Sequence, residues 1–317
     1  MLALCFHSVQ AALALEGVKN FRAVSPSLPG MYRSAGLEQA TAADAAYILD
    51  AAKVRTIIDL RNDDEIETAE RSATDFGRQL VAAYDSGAMV GPGCVASEGS
   101  GRLRRVHVPL LCNVDAFFDG VAAQLSPQKK AEAMAYKTFD AKRYDKLLYD
   151  EVARGKQTLL YTTMLQTSSG WGDALRIAAN RDRGGVLFHC AQGKDRTGVL
   201  AMLLQHAAGD SEADIVKAYA VSEGLLAQYT DQGQGYTGRP QVRDAEERRR
   251  QRQQASAPSE EAQGVDWSAL RGSPPEAMVQ TLTWLRQEHG AIDNFLHRSG
   301  CDEPWRQQLL RGPPASL

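Results

Sequence analysis

Cysteine is scarce and unpatterned in this 317-residue chain: Cys5, Cys94, Cys112, Cys190 and Cys301 form no CxxC pair and no His/Cys cluster at metal-ligand spacing. Neither a disulfide framework nor a zinc site is indicated. No metal or other cofactor is expected, and the odd count of thiols points to a reducing, cytoplasmic compartment. An excess of charge of one sign is missing too, since 36 Lys+Arg against 39 Asp+Glu leave a net charge of -3. Capture of nucleic acid or of an anionic membrane by bulk attraction needs clustered positive charge and is not expected. Any anion must be held locally. A long hydrophobic run is also lacking: the apolar start MLALCFHSVQAALAL carries no Lys or Arg and is closed by Glu16. It makes a poor secretory signal and is too short for stable insertion in a bilayer, which leaves a buried or docking helix or a targeting role. No internal repeat is visible.

What is present is globular. The 44% hydrophobic and 24% charged composition supports a core without staples, and the length allows a single domain over residues 1–317 with its core at about 17–230. Thr41 is a candidate N-cap for an Ala-rich helix to Lys53, and VRTIIDLR behind it has the β-branched character of a buried strand. NDDEIETAE then supplies an acidic first turn. The Gly/Ser-rich stretch Tyr84 to Gly101 is expected to be a mobile loop, RRVHVPLL a strand, and Ala131 to Tyr149 largely helical. Residues 231–264, with Arg248, Arg249, Arg250 and Arg252, read as a polar insert, either a solvated helix or a disordered segment. Helices close the chain over 274–311, with Pro275 in a first turn and Gly290 at an end.

The clearest element is GGVLFHC, Gly184 to Cys190, short and apolar enough for a strand buried on both faces. Behind it AQGKDRTG leads into a helix whose Val199, Leu200, Leu203 and Leu204 sit at helical spacing, with Gly209 as its stop. Strand, six-residue loop and helix thus place Cys190 at the end of a strand and Arg196 at the start of a helix. A loop of this length can turn its backbone N–H groups on one tetrahedral anion, with the helix N-terminus adding its positive end. Gly193 allows a close backbone approach. The same field favours the thiolate, which is the nucleophilic form of a cysteine. Arg196 offers a planar fork for two phosphate oxygens, and Thr197 a hydroxyl for the leaving thiolate.

His189-Cys190-Ala191-Gln192-Gly193-Lys194-Asp195-Arg196-Thr197-Gly198 is a C-x5-R signature, and in its extended HCxxGKDRTG form it resembles the Y-phosphatase-3 family, the bacterial-type or triple-specificity tyrosine phosphatases. NFRAV, MYRSAGL, the TIIDLR strand and the helical tail from Met278 are similar to further blocks of that family, with Ala23 where the family usually has Asp. The resemblance implies an α/β cysteine-phosphatase fold, a central, mostly parallel sheet flanked by helices. It also implies a two-step hydrolysis in which Cys190 is nucleophile and Arg196 binds phosphate. Ala191, Gln192, Gly193, Lys194, Thr197 and Gly198 complete the substrate-binding loop. The chain has no WPD sequence to supply a proton donor. Asp195 is the family's favoured donor and Asp59 the second candidate, with an ion-paired helix-start carboxylate and a structural hydrogen-bonding role as their respective alternatives.

Lys194 is either a contact to a second phosphate, as on a phosphoinositide, or a solvated lysine. His189 is read as a buried support of the loop backbone, and Arg33 and Arg61 as ion-pair scaffolding. The partner expected is a phosphotyrosine protein or a phosphoinositide. Two other functions stay open: a non-catalytic phosphate-binding module, which would not require the thiol, and a rhodanese-like sulfurtransferase, which also uses a loop cysteine.

Overall fold

The computed structural model describes residues 15–81, 96–98, 103–230, 265 and 267–314. Its sheet has six strands: β1 (Arg22–Ala23), β2 (Met31–Ser34), β3 (Val54–Asp59), β4 (Ala96–Glu98), β5 (Arg104–His107) and β6 (Gly185–His189), in the order β1-β2-β6-β3-β5-β4. The four inner strands run parallel and both edge strands are antiparallel to their neighbours. This is the mostly parallel α/β sheet expected.

β6 is apolar throughout because both of its faces are covered. Val186 and Phe188 pack with Ile58 and Val106 in one core, while Leu187 packs with Val54 and Ile57 in another. Against that second core lie α1 (Ala42–Ala46), its wider continuation Tyr47–Ala51 and α3 (Asp75–Val81), through Ala45, Ile48 and Leu80. The expected Thr41 cap is present: its Oγ1 accepts from the Asp44 N–H at 3.2 Å, and Asp44 accepts the Thr41 N–H at 3.0 Å. The larger core is built by α4 (Val114–Ala123), α5 (Pro127–Phe139), α6 (Ala141–Thr167), α7 (Trp171–Ala179), α8 (Arg196–Ala207) and α9 (Glu212–Thr230). The C-terminal α10 (Pro275–His289), α11 (Ile292–Arg298) and α12 (Glu303–Arg311) join the same core. α8 ends as expected at Gly209, whose φ of 85° suits a residue without a Cβ.

Two readings need correction. The stretch Tyr84 to Gly101 is not wholly irregular: Ala96–Glu98 pairs with Arg105–His107 as an edge strand, because the outer side of β5 offers an unpaired row of backbone groups. β2, seen in the sequence only as part of a block, is a central strand whose MYRS carries buried Arg33 and Ser34 in place of an apolar run. The remainder of 84–101, the apolar start at 1–14 and the insert at 231–264 lie outside the described residues. Among the described residues no helix is long and apolar enough to cross a membrane.

The register matters most for the site. Ser34 lies beside His189, His189 beside Asp59, and Asp59 beside His107. The parallel strands therefore end level, and the segments that follow them meet at one edge of the sheet, where α/β folds bind ligands.

Candidate active site

Cys190 leaves β6 at that edge and is 2% exposed. The three carbonyls behind it are all taken by groups outside the loop. Ala191 O accepts from the Gly36 N–H at 3.0 Å, Gln192 O from Asn20 Nδ2 at 2.9 Å, and Gly193 O from Asn20 Nδ2 at 3.0 Å and Arg33 Nη2 at 2.9 Å. The peptides are trans, and in a trans peptide the N–H points opposite to the C=O. The N–H groups of Gln192, Gly193 and Lys194 therefore face away from Gly36, Asn20 and Arg33, and the N-terminus of α8 adds its positive end. Gly193 is required here: its φ is 66°, and a Cβ would overlap the Ser34 carbonyl.

Arg196 opens α8 with its guanidinium clamped by Glu65, Nη1 to Oε2 at 2.6 Å and Nη2 to Oε1 at 2.7 Å, while Nη1 also reaches Leu60 O at 3.4 Å. Glu65 stands in the first turn of α2 (Asp63–Glu70) and accepts the Asn62 N–H at 3.0 Å. Burial would raise its carboxyl, but the Arg196 charge and hydrogen bonds outweigh burial and hold it below the usual carboxylate range. A fork gripped on one edge is fixed in plane, which is what two-point recognition of a tetrahedral anion needs. Glu65 was missed in the sequence, where its acidic turn signalled only a helix start.

A sequence profile of the tyrosine phosphatase family matches residues 13–311. The chain belongs to this family. It is also 36% identical over 134 residues to a tyrosine-protein phosphatase of Nostoc commune, a stretch that covers 42% of this chain and 40% of that protein. The chain thus matches less than half the length of that curated relative.

Measured against the family signature, Asp195 sits where expected but in company the sequence did not announce. Its Oδ1 accepts from Tyr161 Oη at 2.6 Å and from Lys194 Nζ at 2.6 Å, and Tyr161 Oη lies 2.7 Å from Tyr219 Oη. Burial, followed by the Asp195 charge, pushes both phenols far above their ordinary values, so they are neutral donors. Lys194 corrects one of its readings. It is 1% exposed, and its Nζ goes to Asp195 and, at 3.1 Å, to Leu270 O, so it is not a solvated lysine. The segment Trp267–Leu270, far along the chain, covers it. The Thr197 hydroxyl is buried with no hydrogen-bond partner among the described residues. A Cβ on Gly198 would stand 3.1 Å from the Tyr219 ring, which accounts for its glycine.

Asp59 has the contacts of a structural carboxylate. It is fully buried and takes Arg61 Nε at 2.9 Å, Arg61 Nη2 at 2.6 Å and the Arg61 N–H at 3.0 Å. Burial opposes its ionisation, but Arg61 and then His189 hold the carboxyl well below the usual range, so it has no proton to give near neutrality and does not suit the donor role. Arg61 also pairs with Glu38 at 2.5 Å, which makes it the scaffolding residue expected. His189, fully buried with its Nδ1 3.4 Å from Cys190 O, is held neutral by burial although Asp59 lies 3.7 Å away. Arg33 departs from the ion-pair expectation: its guanidinium donates to a backbone carbonyl, not to a carboxylate.

A carboxyl that sequence reasoning overlooked stands close by. Asp64, half-buried beside Glu65, is raised above the usual range by burial and then by Glu65, with Arg196 opposing. Among the described residues no cluster of His, Cys, Asp and Glu could hold a metal ion.

Proposed function

We propose that this protein is a cysteine-dependent phosphatase acting on phosphotyrosine proteins. The observation that carries the reading is the outward tethering of three successive carbonyls, Ala191 to Gly193, which leaves their partner N–H groups to ring one anion beside Cys190 and the clamped Arg196. The Cys190 thiolate attacks phosphorus and the P–O bond to the tyrosyl oxygen breaks. Loop N–H groups and Arg196 stabilise the charge on the equatorial oxygens. Asp195 supplies the proton to the departing oxygen, its Oδ1 fixed by Tyr161 and Lys194 and its Oδ2 left without a partner among the described residues. Water then cleaves the S–P bond, returning a proton to Asp195. The orphaned Thr197 hydroxyl serves the sulfur as it leaves.

Asp64 gives a second reading of the donor, favoured by its raised carboxyl beside the Arg196 clamp. Loss of a donor hurts a poor leaving group more than a good one. Whichever of Asp195→Asn and Asp64→Asn cuts hydrolysis of phosphotyrosyl peptide far more than that of p-nitrophenyl phosphate identifies the acid.

Vanadate-sensitive release of phosphate from phosphotyrosyl peptide should fall by at least about 10³-fold in Cys190→Ser, the scale of losing a covalent nucleophile. Unchanged turnover in that variant would overturn the mechanism. Binding without turnover, and without a trapped phosphocysteine, would replace it by a phosphate-binding module, and turnover of thiosulfate by a sulfurtransferase. Phosphoseryl peptides and phosphoinositides in the same panel set the breadth of specificity.

A further inference from the structure

Around the loop nearly every buried charge has an opposite charge in contact. Arg196 is paired with Glu65, Lys194 with Asp195 at 2.6 Å, and Arg61 with both Asp59 and Glu38. Arg22 and Arg33 are the exceptions, and of the two it is Arg33 that bonds the loop itself. Its side chain is 2% exposed, its Nη2 donates to Gly193 O, its Nε is buried without a partner, and no carboxylate lies within ion-pair reach among the described residues. Its Nη2 also stands 3.4 Å from where a Cβ on Gly198 would sit, so the guanidinium lies against the first turn of α8. An isolated buried cation is costly, and natural structures pair such groups.

The groups facing Arg33 narrow the choice of partner. Tyr161 on α6 and Tyr219 on α9 are neutral, Asp195 is taken by Lys194 and Tyr161, and Arg22 on β1 is a second cation, bonded among the described residues to Asn20, Ala218 O and Ser222 Oγ. Arg33 stands beside Phe188 in the parallel register of β2 and β6, so its side chain shares a face of the sheet with Phe188 and with Cys190 two residues on, which pack in one core. Burial lowers the Arg33 guanidinium to about 10, with Cys190 the first group opposing that shift. It remains charged at neutral pH.

We propose that Arg33 is the fixed counter-charge of the Cys190 thiolate, a positioning residue that braces the loop through the Gly193 carbonyl and favours the ionised sulfur from behind, without touching substrate. The proposal rests on the reading of Cys190 as a reactive thiolate. Its role is distinct from that of Arg196, whose guanidinium is paired with Glu65.

The test is capture of Cys190 by iodoacetamide on the full chain, followed by peptide mass and run against pH for wild type, Arg33→Gln and Arg33→Lys. At about pH 6 the Gln variant should react about tenfold more slowly, whereas above about pH 9 its rate should converge on wild type, because thiolate is then abundant in both. Arg33→Lys should recover most of the rate at about pH 6. A loss of loop order alone would lower the rate equally at both pH values, and that result overturns the proposal, as does an unchanged rate at about pH 6 in a folded Gln variant. Should Arg33→Gln fail to fold, Arg33→Met keeps the packing of the stem and is read in the same way. Alkylation does not depend on turnover, so a wild type inactive on phosphate esters would sink the phosphatase reading while leaving this measurement to be judged separately.

Discussion

Cys190 and Cys301 are both buried, at 2% and 6% exposure, and each directly follows an ordered element, β6 in one case and the turn after α11 in the other. Their surroundings separate them. Cys301 packs in the large core with its Sγ 4.0 Å from Ser299 O, and burial pushes its thiol up to about 12, with Arg176 opposing and Asp302 adding. Cys190 instead opens a loop whose carbonyls are tied away by Gly36, Asn20 and Arg33 and which runs into the start of α8 at the clamped Arg196. Burial alone makes a thiol inert, and what changes its chemistry is the set of donors and charges buried with it.

The largest break in this contrast should come from Gly193→Ala. A φ of 66° is disfavoured for alanine, and its Cβ would overlap the Ser34 carbonyl, so the loop must shift or the protein loses about 2 kcal/mol or more. With the N–H groups misaimed, kcat/KM on an aryl phosphate should fall about 10² to 10³-fold, measured beside the melting temperature. Glu65→Gln comes next. The amide leaves Arg196 partly oriented but strips its counter-charge, and misplacement of a binding fork costs up to about 10²-fold in kcat/KM, while Cys190 should still be alkylated. Loss of alkylation in that variant would mean that the clamp supports the whole loop and not Arg196 alone.

Acid should erode the supports beneath the loop in two stages. His189 is held neutral in the folded state, below its ordinary value of 6.5. As pH falls through about 6.5 the unfolded chain takes up a proton that the folded one refuses, and stability drops. Asp59 is also depressed, so its contribution is complete above the unfolded carboxylate value of about 3.9 and is lost as pH falls further towards the folded one. Urea midpoints measured from pH 8 to 5 should therefore decline in wild type and decline less in His189→Gln. An equal decline in both would assign the effect to other groups.

These dependences show why only part of the site was legible beforehand. The run from Gly184 to Gly198 is local: an apolar strand, a loop needing Gly193 and a helix start are set by neighbouring residues, and these elements were legible. Glu65 lies 131 residues from Arg196, and Asn20 172 from Gln192; they meet only because β3 and β2 flank β6, an order that no local pattern records. β2 itself was obscured by its duties, since an Arg and a Ser occupy positions where a buried strand ordinarily shows apolar residues. Lys194 misled for the opposite reason. A lysine in a loop suggests a solvated side chain, but the Leu270 carbonyl, 76 residues on, takes its Nζ and leaves it 1% exposed.

The smallest effect returns to the second thiol. Cys301→Ala removes one sulfur from the large core and should cost about 1 kcal/mol, with kcat/KM unchanged because nothing in the loop touches it. The sharper measurement is labelling near pH 7, mapped by peptide mass so that the exposed Cys112 is counted separately. Cys190 should be captured and Cys301 spared, since a thiol near 12 has only about one thiolate in 10⁵ at that pH. Comparable labelling of the two in the folded protein would show that access, rather than the charges gathered around Cys190, sets reactivity, and Arg33 would then have no thiolate to balance.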